Sequence, residues 1–253
     1  MPLTSGLILA TPSFILPVLP EGQIIQEGEP LTTDLPLRAE ARLYYDVWAP
    51  GAGPSPLLVA LHGYGGNKGW MMREARRHAP EGFAVAALQG PHQHMKEPRE
   101  KGGPARYGFG WLTNFRPGES VAMHHRALLD LIEALVGRGV ARREGVFLMG
   151  FSQSCALNYR FAFTHGQALR GVVGVCGGMP GDWETSPSYG ETRASVLHLS
   201  GTRDELYTPG RVAPYAAQLR RRARDVETRA YDAAHEFAPE MRADVRAWLA
   251  ARA

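Results

Sequence analysis

The amino-acid sequence predicts an α/β fold in which a mainly parallel sheet carries helices on both faces. Strand-like and helix-like segments alternate along most of the chain, which is the pattern of parallel strands joined by crossover helices. Residues 57–61 form a continuous apolar run, as expected for a strand that is buried on both faces. No repeat or linker divides the 253 residues, and an apolar content of 44% allows a substantial core.

The individual elements are predicted from local patterns. Residues 43–48 alternate in polarity, as in a strand. Further strands are expected at residues 57–61, 83–88, 146–149, 171–176, 196–200 and 226–231. Helices are expected at residues 68–78, 119–137, 156–162, about 209–224 and roughly 239–251. Two segments rich in aromatic residues, 91–118 and 177–192, are expected to be loops with a functional role.

The first 36 residues are rich in Pro, Thr and Leu and show no helical period. We expect an N-terminal extension or an edge hairpin over residues 1–36, followed by one domain over residues 37–253. The apolar stretch 7–19 is interrupted by two prolines and lacks a basic region before it, so it is not interpreted as a signal peptide. Because no apolar run reaches the ~20 residues of a membrane span, a cytoplasmic location is expected.

Composition and charge argue against a nucleic-acid partner. The formal net charge is only +3, and the one basic cluster, residues 220–224, falls at the end of a predicted helix, where cations complement the helix dipole. Nucleic-acid binding would need basic residues gathered on one face, so none is expected.

Cys155 and Cys176 lie in apolar surroundings and are expected to be buried free thiols.

The most informative motif is Gly150–Ser154, with the sequence Gly-Phe-Ser-Gln-Ser. It joins a predicted strand to a predicted helix, and a serine in such a tight turn has its hydroxyl lifted clear of the sheet. This is the nucleophile elbow of acyl-transfer enzymes, whose usual pattern is G-x-S-x-G. Ser154 occupies the position of the last glycine in this pattern, and serine is also a small residue. Ser152 is therefore the candidate nucleophile.

A serine nucleophile needs a histidine base and an acid that orients the histidine. Asp204 lies on the loop after the predicted strand 196–200, and His235 lies between strand 226–231 and the last helix. The order serine, acid, histidine is that of the α/β-hydrolases. Taken alone, Asp204 could equally be a turn or N-cap aspartate. Together the three residues predict a Ser152–His235–Asp204 triad.

Two backbone N–H groups are expected to bind the oxyanion of the reaction intermediate. One is that of Gln153, directly after the candidate nucleophile. The other should come from the glycine-rich loop after strand 57–61, where the Tyr64 N–H is the first choice and the Gly65 N–H the alternative. The loop lacks both G-x-G-x-x-G and Gly-Lys-Ser/Thr spacing, so a nucleotide site is not expected.

Histidines that cluster in the sequence raise the question of a metal site. The residues concerned are His92, His94, His124 and His125. No Asp, Glu or Cys with ligand spacing accompanies them, and no metal is predicted.

These motifs resemble the phospholipase/carboxylesterase branch of the α/β-hydrolases, which includes acyl-protein thioesterases and small bacterial carboxylesterases. The resemblance covers residues 40–253 and rests on 61–65, 150–153, 200–204 and 234–235. It implies the α/β-hydrolase fold without a large cap domain, the triad and oxyanion hole named above, and no cofactor. Ser154 and Cys155 depart from the glycine pair that is usual in this family after the residue matching Gln153.

The substrate pocket is expected between the two aromatic segments. Phe109, Trp111, Trp183 and Tyr189 are the candidate lining residues, although each ring could equally pack its loop onto the sheet. The sequence thus predicts a serine hydrolase that cleaves a small-molecule carboxylic ester through an acyl-enzyme. The alternatives are a thioesterase or small peptidase of the same fold, or a binding protein without turnover.

Overall fold

The computed structural model describes residues 36–37, 39–51 and 53–253. The extension or hairpin expected at residues 1–36 therefore lies, apart from Pro36, outside the described residues. Residues 42–253 form one unit, and it contains every strand and helix described below.

Strands and helices alternate as the sequence predicts. The strands are β1 (Tyr45–Trp48), β2 (Ser55–Leu61), β3 (Ala84–Leu88), β4 (His92–Lys96), β5 (Arg106–Gly110), β6 (Ala141–Phe151), β7 (Gly171–Val175), β8 (Ser195–Gly201) and β9 (Val226–Tyr231). The helices are α1 (Lys68–His78), α2 (Pro117–Gly137), α3 (Gln153–Thr164), α4 (Pro209–Val212), α5 (Tyr215–Arg220) and α6 (Met241–Ala250). In the described residues, seven strands form a sheet in the order β1-β3-β2-β6-β7-β8-β9, in which β1 is antiparallel and the others are parallel.

The sheet is buried on both faces, and the strand β2 shows why. Leu57, Val59 and Leu61 belong to a core on one face, which includes α2 and α3. Leu58 and Ala60 point to the opposite core, which includes α1 and α6. Because alternate side chains of a strand face opposite ways, a strand between two helical layers has to be apolar at every position. The predicted α/β-hydrolase architecture is confirmed.

Part of segment 91–118 is a β-hairpin, where the sequence predicts a loop. The strands β4 and β5 pair antiparallel, with His92 opposite Gly110 and Lys96 opposite Arg106. Glycines within β5 and the mixed polarity of β4 weaken the strand pattern, because strand propensity depends mostly on packing against neighbours.

The helix predicted over residues 209–224 is two short helices, α4 and α5. Pro214 lies between them and has no backbone N–H to donate along a continuous helix. The helix α1 and the strand β9 coincide with the predicted ranges, whereas β6 begins at Ala141, before the predicted strand 146–149, and α3 begins at Gln153, before the predicted helix 156–162.

Candidate active site

Ser152 occupies a strained turn between the strand β6 and the helix α3. Its φ of 56° and ψ of −115° lie in a region that side-chain-bearing residues rarely adopt. The Ser152 N–H donates a hydrogen bond of 3.0 Å to the carbonyl of Val175, which ties the turn to the adjacent strand β7. A Cβ on Gly63 would lie 3.1 Å from the Ser152 Cβ, so the facing loop can approach this closely only with glycine there.

The two residues that replace the usual glycines are accommodated inside the fold. The Ser154 hydroxyl donates a 2.8 Å hydrogen bond to the carbonyl of Leu61 and accepts the Phe151 N–H at 2.9 Å. The Cys155 thiol lies 3.2 Å from the carbonyl of Gly150. A Cβ on Gly177 would clash with the Cys155 side chain, so the glycine at position 177 makes room for this thiol. The side chains of Ser154 and Cys155 are therefore buried in the fold, while Ser152 itself is half-buried.

The side chains of Ser152, His235 and Asp204 lie in single file. The distance from His235 Nε2 to Ser152 Oγ is 2.9 Å, and His235 Nδ1 lies 2.9 Å from Asp204 Oδ2. All three residues follow the carboxyl ends of parallel strands, β6, β8 and β9, where such sheets place their ligands.

The loops that carry Asp204 and His235 are joined by backbone hydrogen bonds. The Arg203 N–H donates to the carbonyl of Ala233 at 3.0 Å, and the Thr202 N–H donates to the carbonyl of Tyr231 at 2.8 Å. A Cβ on Gly201 would clash with the carbonyl of Ala233. The close approach of these loops sets the spacing between the carboxylate and the imidazole.

The Asp204 carboxylate is fully buried and stays ionised. Oδ1 accepts the N–H groups of Leu206 and Tyr207, each at 2.9 Å, and Oδ2 faces His235. Burial raises the pKa of this carboxyl, but the hydrogen bonds from Tyr207, His235 and Leu206 outweigh it, so the net pKa is lowered. A carboxylate in this position accepts the Nδ1–H of His235 and leaves Nε2 free to accept the serine proton.

The two amides that the sequence offered in the loop after β2 differ in their hydrogen bonding. The Gly65 N–H donates to the carbonyl of Phe109 at 2.9 Å, so Gly65 is wrong as the alternative oxyanion donor. Within the described residues, the Tyr64 N–H donates no hydrogen bond. The Gln153 N–H is at the first position of α3, where a helix provides no acceptor.

The shape of this loop depends on His62, which belongs to the motif 61–65 but was assigned no role from the sequence. His62 Nδ1 lies 2.8 Å from the carbonyl of Gly63, and Nε2 accepts the Gly90 N–H at 3.0 Å. Burial lowers the pKa of His62 to about 4, so the ring is neutral and can donate through Nδ1 while accepting through Nε2. The only signal in the sequence was its place directly after a buried strand.

The hairpin β4–β5 holds the other side of the loop. The Phe109 N–H donates to the carbonyl of Gly66 at 3.1 Å, and Lys96 Nζ donates to the carbonyl of Gly65 at 3.1 Å. The ring of His94 stacks on that of Tyr64, with centroids 4.4 Å apart. The hairpin therefore supports the loop that carries Tyr64 through both backbone and side-chain contacts.

Three of the four rings predicted to line the pocket are buried in the protein. Trp111 is 1% exposed, and its Nε1–H donates to the carbonyl of His62 at 2.8 Å. Trp183 and Tyr189 stack on each other with centroids 5.5 Å apart, and Trp183 packs edge-on against Phe163. Burial of large aromatic surface outweighs exposure to a cleft, so these rings anchor their loops to the core. The prediction that Trp111, Trp183 and Tyr189 line the pocket is therefore wrong, and they pack their loops onto the core, which was the alternative.

Phe109, the fourth ring, is only half-buried and lies on β5 beside the loop after β2. Tyr207, which the sequence analysis did not single out, stacks on His235 with centroids 5.8 Å apart and an interplanar angle of 22°. Its sequence signal was its position three residues after Asp204.

The histidines that cluster in the sequence contact different side chains of the protein. His92 Nε2 lies 3.1 Å from the hydroxyl of Ser120, and His124 packs edge-on against Trp111. Among the described residues, no group of three or more His, Cys, Asp or Glu side chains is arranged to hold a metal ion. In the same part of the chain, no helix combines the length and apolar character needed to cross a membrane.

Comparison with known proteins identifies the family to which the chain belongs. The sequence profile described as "Phospholipase/Carboxylesterase" matches residues 44–252. The fold is similar to a carboxylesterase from Bacillus cereus, with a TM-score of 0.66 and 16% identity over 84% of this chain and 96% of that one. A carboxylesterase from Mesorhizobium loti has a TM-score of 0.66 and 22% identity over 85% and 98%.

SOBER1 from Arabidopsis thaliana gives a TM-score of 0.62 and 18% identity over 78% of this chain and 98% of that one. At these identities the solved structures establish the shared fold, while the profile covers most of the chain. The chain therefore belongs to the phospholipase/carboxylesterase family of α/β-hydrolases and is an ester hydrolase.

Proposed function

We propose that this protein cleaves carboxylic esters through an acyl-enzyme on Ser152, with His235 as general base and Asp204 as its partner. The observation that carries the proposal is the pair of 2.9 Å contacts that links these three side chains in one line. A hydroxyl within hydrogen-bond distance of an imidazole, itself bound to a buried carboxylate, is an activated nucleophile.

In the proposed reaction, Ser152 Oγ attacks the ester carbonyl and its proton passes to His235 Nε2. The carbonyl oxygen becomes an oxyanion, which the N–H groups of Tyr64 and Gln153 stabilise. His235 then protonates the leaving alcohol. A water molecule gives a proton to His235 and attacks the acyl carbon; as the bond to Ser152 Oγ breaks, His235 returns the proton to Oγ and the acid is released. Every group comes from the chain, so the scheme needs no cofactor.

The oxyanion donors are supported by the fixed geometry of the loop that carries Tyr64. Three hydrogen bonds hold the two residues that follow Tyr64. The Gly65 N–H donates to Phe109, the Phe109 N–H donates to Gly66, and Lys96 Nζ donates to Gly65. Donors that are already oriented need no reorganisation as charge develops, which is the main source of their effect.

A fluorophosphonate probe and a p-nitrophenyl ester test the proposal together. The wild-type protein should be labelled on Ser152 and hydrolyse the ester, while Ser152→Ala should lose labelling and lower kcat by roughly 10⁴-fold or more. Ser188→Ala is the matched control, because Ser188 is an exposed serine in the loop between β7 and β8. Full turnover by Ser152→Ala would refute the assignment.

Matched substrates separate the alternatives. An ester, a thioester and an anilide with the same acyl group should all react at Ser152 if the site is a general acyl-transfer site. We expect the enzyme to turn over the ester and the thioester and to cleave the anilide much more slowly, because its amine is a poorer leaving group. A preference for the anilide would favour the peptidase alternative. Absence of labelling and of turnover would favour a binding protein.

A further inference from the structure

The two proposed oxyanion donors lie on separate segments of the chain. The Gln153 N–H begins α3, directly after Ser152, whereas the Tyr64 N–H belongs to the loop after β2. An oxyanion hole works only if both groups point at the same oxygen, so the spacing between the two segments has to be held fixed. Trp111, which directly follows β5, is hydrogen-bonded to both segments.

The backbone of Trp111 is bonded to the segment that carries the nucleophile. Its N–H donates to Gln153 Oε1 at 2.9 Å, and Gln153 Nε2 donates to the carbonyl of Leu112 at 3.4 Å. The side-chain amide thus uses both of its ends on the chain after β5. Since Gln153 is the first residue of α3, these bonds hold the chain after β5 at a fixed distance from the first donor.

The indole of Trp111 is bonded to the segment that carries the second donor. Its Nε1–H donates to the carbonyl of His62 at 2.8 Å. The ring is buried and packs edge-on against His124, with centroids 5.7 Å apart, so close packing limits its movement. The His62 carbonyl lies one peptide unit before the unit that contains the Tyr64 N–H. The indole therefore fixes the loop next to this donor.

The peptide unit between Gly63 and Tyr64 is itself held in one orientation. Its carbonyl oxygen accepts the Gly66 N–H at 3.0 Å and lies 2.8 Å from His62 Nδ1. In this trans peptide the N–H points away from the carbonyl oxygen, so the two bonds turn the Tyr64 N–H in the opposite direction. A Cβ on Gly63 would lie 3.1 Å from the Ser152 Cβ, which places the unit beside the nucleophile.

We propose that Trp111 is a positioning residue that fixes the spacing of the two oxyanion donors. The inference rests on the proposed acyl-enzyme mechanism. The two bonds act in series, because one joins Gln153 to the Trp111 backbone and the other joins the Trp111 indole to the loop of Tyr64. Loss of either bond frees this loop to move relative to Gln153. The oxyanion is then bound less well, since its two donors no longer converge.

Hydrolysis of a p-nitrophenyl ester tests the two bonds. Trp111→Phe removes the indole donor, and Gln153→Met removes the side-chain acceptor while keeping the length. Each should lower kcat about tenfold and change KM by less than about twofold, because the oxyanion forms only as the reaction proceeds. The double variant should have a kcat no more than about threefold below either single variant, since neither bond works without the other. A fall of about a hundredfold, the product of the two, would contradict bonds in series.

The chain offers a matched control for each variant. Trp183→Phe makes the same change in a buried tryptophan whose Nε1–H has no hydrogen-bond partner among the described residues. Gln167→Met changes an exposed glutamine after α3. Both should keep the wild-type kcat, and thermal unfolding shows that each variant is folded at the assay temperature. If Trp183→Phe loses as much activity as Trp111→Phe, the effect is a general loosening of the core and the proposal is wrong.

A pair of inhibitors separates positioning from a general loss of structure. A trifluoromethyl ketone is attacked by Ser152 Oγ, whose proton passes to His235, and the ketone oxygen becomes an oxyanion. The matching methyl ketone binds without this addition. In Trp111→Phe and Gln153→Met the Ki of the trifluoromethyl ketone should rise about tenfold, while that of the methyl ketone stays the same. An equal rise for both ketones is the effect of a distorted pocket and would overturn the proposal.

The wild-type protein separates the failure of this inference from the failure of the mechanism. A wild type that is neither labelled by the fluorophosphonate nor active would refute the acyl-enzyme mechanism, and this inference with it. An active wild type whose kcat and ketone affinities are matched by both Trp111→Phe and Gln153→Met would refute this inference alone.

Discussion

The segments 91–118 and 177–192 have similar aromatic compositions but different structures. The first contains the hairpin β4–β5, which binds the loop of Tyr64 through backbone and lysine hydrogen bonds. The second turns its rings inward, and Trp183 is only 2% exposed. In the first segment Tyr107 and Phe115 are 54% and 69% exposed. Aromatic content therefore marks neither a pocket nor a core by itself, and the neighbours of each ring decide.

The largest effect should follow from removing a ring of the second segment. Trp183→Ala deletes a buried indole that packs on Phe163, Tyr189 and Arg222, and should lower the free energy of unfolding by about 3–5 kcal/mol. Phe115→Ala is the counterpart in the first segment and should change it by less than about 0.5 kcal/mol, because the ring is exposed. Urea unfolding measures both. Equal losses would show that the segments do not differ in this way.

A methyl group in the first segment should reduce activity rather than stability. A Cβ on Gly108 would lie 2.7 Å from the Gly65 Cα, so Gly108→Ala should displace the loop of Tyr64 and lower kcat about 10- to 100-fold. Gly181→Ala in the second segment is the control, because nothing lies within 4 Å of its Cβ position. Initial rates under saturating ester give the comparison. An unchanged kcat in Gly108→Ala would separate the hairpin from the site.

A smaller effect is expected from the lysine that binds the same loop. Lys96→Met keeps much of the side-chain length and removes the 3.1 Å hydrogen bond to the carbonyl of Gly65, which should lower kcat roughly threefold to tenfold. Lys101→Met is the control, since Lys101 is exposed in the turn of the hairpin. If both variants behave alike, Lys96 has no role in positioning the loop.

The smallest effect concerns the pH dependence of stability in the second segment. Burial raises the pKa of Asp182, but hydrogen bonds from Arg160 and Tyr189 outweigh it, so the pKa is lowered in the folded protein. A lowered folded-state pKa stabilises the protein above the unfolded value of about 3.9, and this stabilisation is lost as the pH falls through the folded value.

The difference in unfolding free energy between wild type and Asp182→Asn should therefore be constant from pH 7 to about 5 and shrink below about 4. The carboxylate is partly exposed, so the difference should be modest. Chemical unfolding at several pH values measures it. A difference that grows on acidification would have the wrong sign for this pair.

The predictions from sequence were most accurate where a local pattern decides the structure. The helix 68–78 and the strand 226–231 coincide with α1 and β9. Ser152 lies in a tight turn between β6 and α3, as its strand–serine–helix pattern indicates, and its φ is positive. The hairpin β4–β5 and the split between α4 and α5 were missed, because one depends on pairing across a turn and the other on a single proline within a helical pattern.

The sequence by itself determined the alternation of strands and helices, the serine turn, and the order of serine, acid and histidine along the chain. Periodicity and residue type are local properties, and they suffice for these features. Only the tertiary structure decided that His235 reaches Ser152 across 83 residues and Asp204 across 31. It also decided that the carbonyl of Phe109 accepts the Gly65 N–H and that Tyr207 packs on His235. Such contacts depend on how distant loops meet at one edge of the sheet.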